Sequence, residues 1–324
     1  MTLVRTRSLS KTFEEIKVLD EVAFTLKKGR WLGILGESGS GKSTLLRIIG
    51  RFIDQDRGEV IFKNEALSPV KDQLIPGHPA IKLVHQEFEL FPNQTVLENI
   101  AYSLRFYEPG YRNERVEELL QLTRLHHVQD HKAKLLSGGE KQRTAIAKAL
   151  AELPEVLLLD EPFAHLDNWN RLAMTEAIAR LRKKQDMACI FVTHEASDAL
   201  AWSDEVAVLR NGKIIQRGAP QAIYNQPVNA YVAELTGSVN WLGEAVAGKR
   251  RFVRPEKVKL TKNPDKCRWE GRVETVRFRG SYWEYLCVNK KRERMDFYRQ
   301  KADLPVGESV TLTYFESDVR TVSE

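Results

Sequence analysis

Eight residues carry the most chemistry in this chain: Gly36-Glu37-Ser38-Gly39-Ser40-Gly41-Lys42-Ser43. They fill every fixed position of the phosphate-cradling pattern G-x-x-x-x-G-K-[ST]. Glycines let the main chain approach phosphate oxygens closely, and backbone N–H groups at a helix start attract anions. Lys42 is placed to reach the β- and γ-phosphates of a nucleotide, and the Ser43 hydroxyl to ligate Mg²⁺. The bland alternative is a flexible Gly/Ser turn between two core elements. The flanks argue against it, because Trp31–Leu35 leads in as an apolar strand and Thr44–Ile49 leads out as a helix.

Four further groups narrow the chemistry. Leu136-Ser137-Gly138-Gly139-Glu140-Lys141-Gln142-Arg143 opens a helical run from Thr144 to Leu150. Ser137, Gly138 and Gly139 thus make a second anion site with a helix dipole behind it, although Ser137 alone would also read as an ordinary N-cap. Next, the apolar run Leu157–Leu159 ends in Asp160-Glu161-Pro162. Asp160 is the expected Mg²⁺ carboxylate, and Glu161 the group expected to orient or deprotonate an attacking water. Gln86 follows the strand-like Ala80–His85, where a neutral amide could sense metal and γ-phosphate; a lone glutamine is otherwise a solvated one. His194 ends the run Cys189–Thr193, 33 residues after Glu161. At that sheet edge it could touch the γ-phosphate and position the water, whereas an isolated His at a strand end is commonly structural.

These groups need a scaffold, and the chain supplies an alternating one. Up to Gly237, short apolar runs alternate with helical patterns, as in an α/β domain with a mostly parallel sheet. Glu59–Phe62, Val156–Leu159 and Ala188–Val192 read as strands, the last two as strands buried on both faces. Val116, Leu119, Leu120 and Leu125 recur at helical spacing. Asn211-Gly212, between Val206–Leu209 and Lys213–Gln216, is a hairpin signal. After Gly237 helical periodicity nearly vanishes, and Val273–Phe278, Trp283–Val288 and Val310–Tyr314 read as strands of a small barrel or sandwich.

Composition sets the outer bounds. A length of 324 residues suits about two domains, and 42% hydrophobic with 29% charged residues suits a soluble globular chain. No stretch is apolar enough for a membrane helix, and Met1–Arg7 lacks a signal core. Cys189, Cys267 and Cys287 form no C-x-x-C pair, which fits a reducing cytosol. The whole net charge of +6 sits in residues 244–324, where 19 Lys/Arg face 13 Asp/Glu. Such a surplus attracts anionic lipid or nucleic acid, but here acidic residues interrupt it and no nucleic-acid signature accompanies it.

The order of phosphate loop, glutamine, Leu-Ser-Gly-Gly-Glu string, Asp-Glu strand end and histidine resembles the nucleotide-binding domain of ABC ATPases, over residues 1–237. The fold implied is α/β: a P-loop NTPase domain with a mostly parallel sheet, an antiparallel subdomain and a helical subdomain over 88–150. A small all-β, OB-like barrel follows at 238–324. The resemblance implies ATP and Mg²⁺ as ligands, and a head-to-tail dimer of two copies. Gly36, Glu37, Ser38, Gly39, Ser40, Gly41, Lys42, Ser43 and Thr44 would hold ATP in cis, and Ser137, Gly138, Gly139 and Glu140 in trans. Ser43, Gln86 and Asp160 would hold the metal, with Glu161, His194 and Gln86 serving hydrolysis. Phe13 stands where this family stacks an aromatic on adenine, although a core phenylalanine is the other reading. Asp167 is implied in contacts across the dimer, while Ala164 and His165 depart from the Ser-Ala-Leu-Asp of related importers.

Phe88–Ile100 resembles the importer version of the region where a membrane-subunit helix docks. Gly237–Leu242 and Val253–Val258 resemble the start of the accessory domain (TOBE-type) of maltose, sulfate/molybdate, polyamine and ferric-iron importer ATPases. The implied function is the energy-coupling ATPase of a bacterial binding-protein-dependent importer, peripheral on the cytoplasmic face of the inner membrane. Its partners would be a second copy, permease subunits and, indirectly, a solute-binding protein, with no nucleic acid. A soluble ABC ATPase acting on nucleic acid or ribosomes is the rival class. It usually carries two cassettes or a long coiled coil, against one phosphate loop and no sustained heptads here. An ATPase whose tail is mainly a regulatory module is the third. The solute is not written in the sequence.

Overall fold

A computed structural model describes residues 1–85, 87–163, 171–172, 174–176, 178–180 and 186–324. Gln86, Ala164, His165 and Asp167 lie outside the described residues. The chain forms two compact units, Met1–Pro220 and Gln221–Glu324.

In the first unit, strands β1 (Thr2–Phe13) and β2 (Ile16–Lys27) form a long antiparallel hairpin. With β4 (Arg57–Phe62) and β5 (Glu65–Ala66) they make a four-stranded sheet in the order β2-β1-β4-β5. The second sheet holds β3 (Trp31–Leu35), β6 (Ile81–Val84), β7 (Val156–Asp160), β8 (Ala188–Thr193), β9 (Glu205–Arg210) and β10 (Lys213–Gly218), in the order β10-β9-β3-β8-β7-β6. Its inner pairings, β9-β3-β8-β7-β6, are parallel. Asn211 and Gly212 both have positive φ, 48° and 75°, and join β9 to β10 as a two-residue hairpin.

The continuous apolar runs are explained by two cores, one on each face of this sheet. Trp31, Leu157, Leu159, Cys189 and Phe191 belong to one core, together with residues of the helical subdomain. Leu32, Ile34, Val156, Leu158, Ile190 and Val192 belong to the other, with residues of β1, β2 and the helix α1 (Lys42–Ile49). Alternate side chains point to opposite faces, so a strand covered on both must be apolar throughout. The helical subdomain consists of α2 (Val96–Tyr102), α3 (Pro109–Thr123) and α4 (Gly138–Leu150) with short 3₁₀ turns. No helix among the described residues is long and apolar enough to cross a membrane.

Register sets the functional edge. Leu35 pairs with Thr193 and Asp160 with Val192. The carboxyl ends of β3, β7 and β8 therefore lie side by side, the place where open parallel sheets bind ligands.

The second unit is antiparallel. A five-stranded sheet contains Trp269–Phe278, Trp283–Val288, Arg294–Arg299 and Ser309–Thr313 with the short strand Lys259–Leu260. A three-stranded sheet joins Asn240–Trp241, Lys249–Val253 and Arg320–Ser323. Residues 221–237, helical in part, belong to this unit, although the change of sequence pattern lies at Gly237. One buried arginine ties them to it. Arg254 donates to the carbonyls of Ala233, Gly237, Ser238 and Tyr224 at 2.8–3.1 Å and to the Thr236 hydroxyl at 3.0 Å. Some of the basic residues of this unit are paired: Arg279 with Glu284 at 2.8 Å, Arg299 with Asp303, and Arg251 with Glu316.

Candidate functional site

The phosphate loop starts one residue beyond β3. The Gly36 N–H donates to the Thr193 carbonyl at 3.3 Å. A Cβ at Gly36 would sit 2.4 Å from the Leu209 carbonyl oxygen, so only glycine lets the loop pass so close to β9. Gly41, the residue before α1, has φ 102°, and a Cβ there would meet the Val18 carbonyl at 2.6 Å. No side chain caps α1. Its first N–H groups are therefore left for a ligand, with the positive end of the helix dipole behind them. Lys42 closes the cradle, its Nζ donating to the carbonyls of Gly36 and Glu37, both at 2.8 Å. Burial lowers its pKa, against the pull of Glu161, Asp160 and Glu37.

The three strand ends bring the sequence candidates together. Ser43 Oγ donates to Asp160 Oδ1 at 3.1 Å. Asp160 is buried, and burial holds its carboxyl above the usual carboxylate range although the Ser43 hydroxyl works the other way. His194 Nδ1 lies 3.0 Å from Glu161 Oε1, and His194 Nε2 lies 3.5 Å from Glu195. Glu161 adopts φ 48°, a left-handed conformation that costs a non-glycine residue about 1 kcal/mol or more. Two bonds hold it there: its N–H donates to the Val192 carbonyl at 3.1 Å, and its carbonyl accepts from Gln142 Nε2 at 3.4 Å. Gln142 belongs to the string Leu136–Arg143, and nothing in its residue type points to this contact. A carboxylate and an imidazole beside a cationic, N–H-lined cradle can bind a polyphosphate and activate water toward it.

The second candidate anion site is built differently. Ser137 Oγ accepts from the Glu140 N–H at 3.3 Å, while Glu140 Oε2 accepts from the Ser137 N–H at 2.8 Å and from its hydroxyl at 2.7 Å. This is a complete capping box at the start of α4. Burial opposes ionisation of Glu140, but the two bonds from Ser137 outweigh it and its pKa falls. Ser137 and Glu140 thus contact each other, and α4 reaches the Glu161 edge through Gln142.

Phe13 ends β1 at the hairpin tip and is 45% exposed, which sets aside the core reading; Lys11 Nζ lies 5.2 Å from its ring centroid. The segment Phe88–Ile100 is organised by Asn99. Its buried amide bonds both the N–H and carbonyl of Phe91 and the carbonyls of Gln94 and Thr95. From α4, Lys148 donates to the Glu89 carbonyl at 3.0 Å and lies 4.2 Å from the Phe91 ring centroid.

Comparison with known proteins agrees with this geometry. Residues 19–164 match the ABC transporter family and residues 252–321 the TOBE domain family. The chain is 33% identical to the spermidine/putrescine import ATP-binding protein PotA of Clostridium novyi (strain NT), across 99% of this chain and 98% of that protein. The chain belongs to the ABC transporter ATPases. A second relative, the protein of the same name from Clostridioides difficile (strain 630), is 35% identical over 87% of each chain. Among solved structures, the ATP-binding cassette MJ0796, in a dimeric post-hydrolysis state bound to ADP and Pi, is 31% identical with a TM-score of 0.60. That match covers 67% of this chain and 99% of the cassette. The protein is an importer-type ABC ATPase with a C-terminal OB-like TOBE domain, an energy-coupling subunit that binds and hydrolyses ATP. The family's fold is the one expected from the sequence, down to the antiparallel and helical subdomains flanking the parallel sheet.

Proposed function

We propose that hydrolysis takes place at the edge where β3, β7 and β8 end, with each residue in the role its surroundings suit. The observation that carries this reading is the convergence of Lys42, the Ser43–Asp160 pair and the Glu161–His194 pair on one edge. The backbone of Gly36–Thr44 and the Lys42 ammonium take the phosphates, offsetting charge that shifts during transfer. Glu161 orients the attacking water and accepts its proton, and His194 fixes the Glu161 carboxylate and faces the γ-phosphate. Phe13 stacks on the adenine.

The site also suits Mg²⁺. Adjacent corners of an octahedron with metal–oxygen bonds of about 2.1 Å are ~3 Å apart, and Ser43 Oγ and Asp160 Oδ1 are 3.1 Å apart. Ser43 and Asp160 would hold the ion, with Gln86 as a further ligand. When bound, the ion neutralises charge on the β- and γ-phosphate oxygens.

Two copies meet head to tail, Ser137, Gly138, Gly139 and Glu140 of one facing the ATP held by the other, with Asp167 communicating between them. The dimeric solved relatives support this reading. The ATPase function resides in the unit Met1–Pro220, and the accessory barrel of residues 238–324 in the unit Gln221–Glu324. A permease helix docks near Phe88–Ile100, where Leu97 is exposed and Tyr102 and Phe106 follow it to the surface. The subunit thus works as a peripheral protein at the cytoplasmic face of the inner membrane, serving a solute-binding protein through the permease. The names of the similar proteins favour a polyamine as the solute. Reconstitution with permease and binding protein tests this, since spermidine should stimulate ATP turnover.

The deciding experiment on the site is Glu161→Gln. ATP binding and dimer formation should persist while turnover falls by about 10²- to 10⁴-fold. Hydrolysis at near wild-type rate would remove Glu161 from the role of catalytic carboxylate.

A further inference from the structure

A cleft of ≈ 340 Å³ opens beside the Glu161–His194 pair, lined also by Phe163, Arg171, Thr193, Glu195 and Asp198. Asp198 is unusual there, an acidic residue only 3% exposed. It lies on the helix Ala196–Trp202, four residues beyond His194. Arg171 Nη1 donates to Asp198 Oδ1 at 2.9 Å, and Arg171 Nη2 to the Phe163 carbonyl at 3.5 Å. Phe163 follows Glu161 by two residues, and its ring packs 5.9 Å from Phe191 of β8. One guanidinium therefore holds both segments that carry the Glu161–His194 pair.

The Glu161–His194 contact needs such a brace. His194 is 46% exposed in its side chain, and a half-exposed polar contact by itself holds little. A planar arginine fork bonded on two sides, one end buried, fixes geometry far better. We propose that Arg171 and Asp198 are positioning residues for ATP hydrolysis, setting the placement of Glu161 relative to His194. The proposal rests on the roles given to those two residues above.

Steady-state ATPase kinetics of the full chain test it. Arg171→Met and Asp198→Leu should each lower kcat by about 10- to 100-fold, the range a misplacement near 1 Å produces. KM for MgATP should stay within about 2-fold, because phosphate contacts are untouched. Each single variant strands a group of the pair and lowers the melting temperature. The double variant Arg171→Met/Asp198→Leu removes both charges and should recover stability but not kcat. Arg171→Lys keeps the charge without the fork and should fall between wild type and Arg171→Met in kcat. If kcat returns to wild type together with stability in the double variant, the pair is only structural and the proposal is wrong. Unchanged kcat in Arg171→Met or Arg171→Lys is equally fatal. Glu161→Gln in the same assay separates the two readings. If it is inactive while Arg171→Met is not, only the positioning role falls; if it is active, the site assignment itself falls.

Discussion

The helix after the phosphate loop and the helix after Leu136 both start with glycine-rich sequence, yet their N-termini are opposites. The first, α1, begins at a left-handed Gly41 with no side-chain cap. The second, α4, begins in a closed box in which Ser137 and Glu140 satisfy each other. An uncapped start keeps N–H groups bare at a standing cost in helix stability, and is sensible only where a ligand binds within one chain. A capped start spends its donors locally, which suits a surface whose ligand arrives on another molecule. The cis half of the proposed ATP site is thus ready beforehand, and the trans half must exchange an internal bond for a phosphate.

Four variants probe that contrast. The largest effect is expected from Ser137→Arg, which puts a bulky cation where the second copy's nucleotide would enter. ATP-driven dimerisation, followed by size-exclusion chromatography with the Glu161→Gln background, should be abolished while monomer ATP affinity is kept; a normal dimer would refute the trans assignment. Next, Lys42→Ala removes a charge-assisted contact from the uncapped site. Loss of such contacts costs about 1.5–3 kcal/mol, or roughly 10- to 100-fold in Kd. Unchanged affinity by calorimetry would count against the cis assignment.

Ser137→Ala opens the box without adding bulk. The loss of an N-cap is worth about 1 kcal/mol, a fall of roughly 2–4 °C in melting temperature, and no change would mean the cap is idle in the isolated chain. The smallest effect concerns Asp160, whose pKa burial raises above the ordinary 3.8. A raised folded-state value means that its stabilising contribution is full only below 3.8 and is lost as pH rises through the folded value. Ionised Asp160 therefore costs stability at neutral pH. Without nucleotide, Asp160→Asn should melt on the order of 2 °C higher than wild type at pH 7, with the gap closing as pH approaches 4, while ATPase activity is lost. A lower melting point at pH 7 would show that the Ser43 bond outweighs the burial cost.

Much of the proposed site is legible in the sequence because its demands are local. The strands β7 and β8 are buried on both faces, so Val156–Leu159 and Ala188–Val192 stand out as unbroken apolar runs. Asn211-Gly212 specifies its hairpin through two positive φ angles. The long β1–β2 hairpin left no such mark. Its pairing shifts register four times, and Ser8 and Glu21 take positive φ, which breaks the alternation that reveals a strand. Contacts made at a distance are hidden for a different reason. Gln142 and Glu161 are 19 residues apart, Arg171 and Asp198 are 27, and nothing in either neighbourhood names its mate before the chain is folded. The helices of residues 221–237 preserve a helical pattern, so the sequence joins them to the domain before them; Arg254, a single residue downstream, decides otherwise.

That arginine has a practical consequence for anyone dissecting the protein. Arg254 is 5% exposed, burial lowers its pKa, and five bonds to residues 224–238 answer its charge. A C-terminal fragment started after Gly237 would remove four of those five acceptors and, with Ala233, the cover over Phe252 and Val322, a loss of the size that unfolds a small domain. A fragment started at Gln221 keeps them all. The shorter accessory domain should therefore be insoluble and the longer one folded, although the sequence pattern recommends the opposite cut.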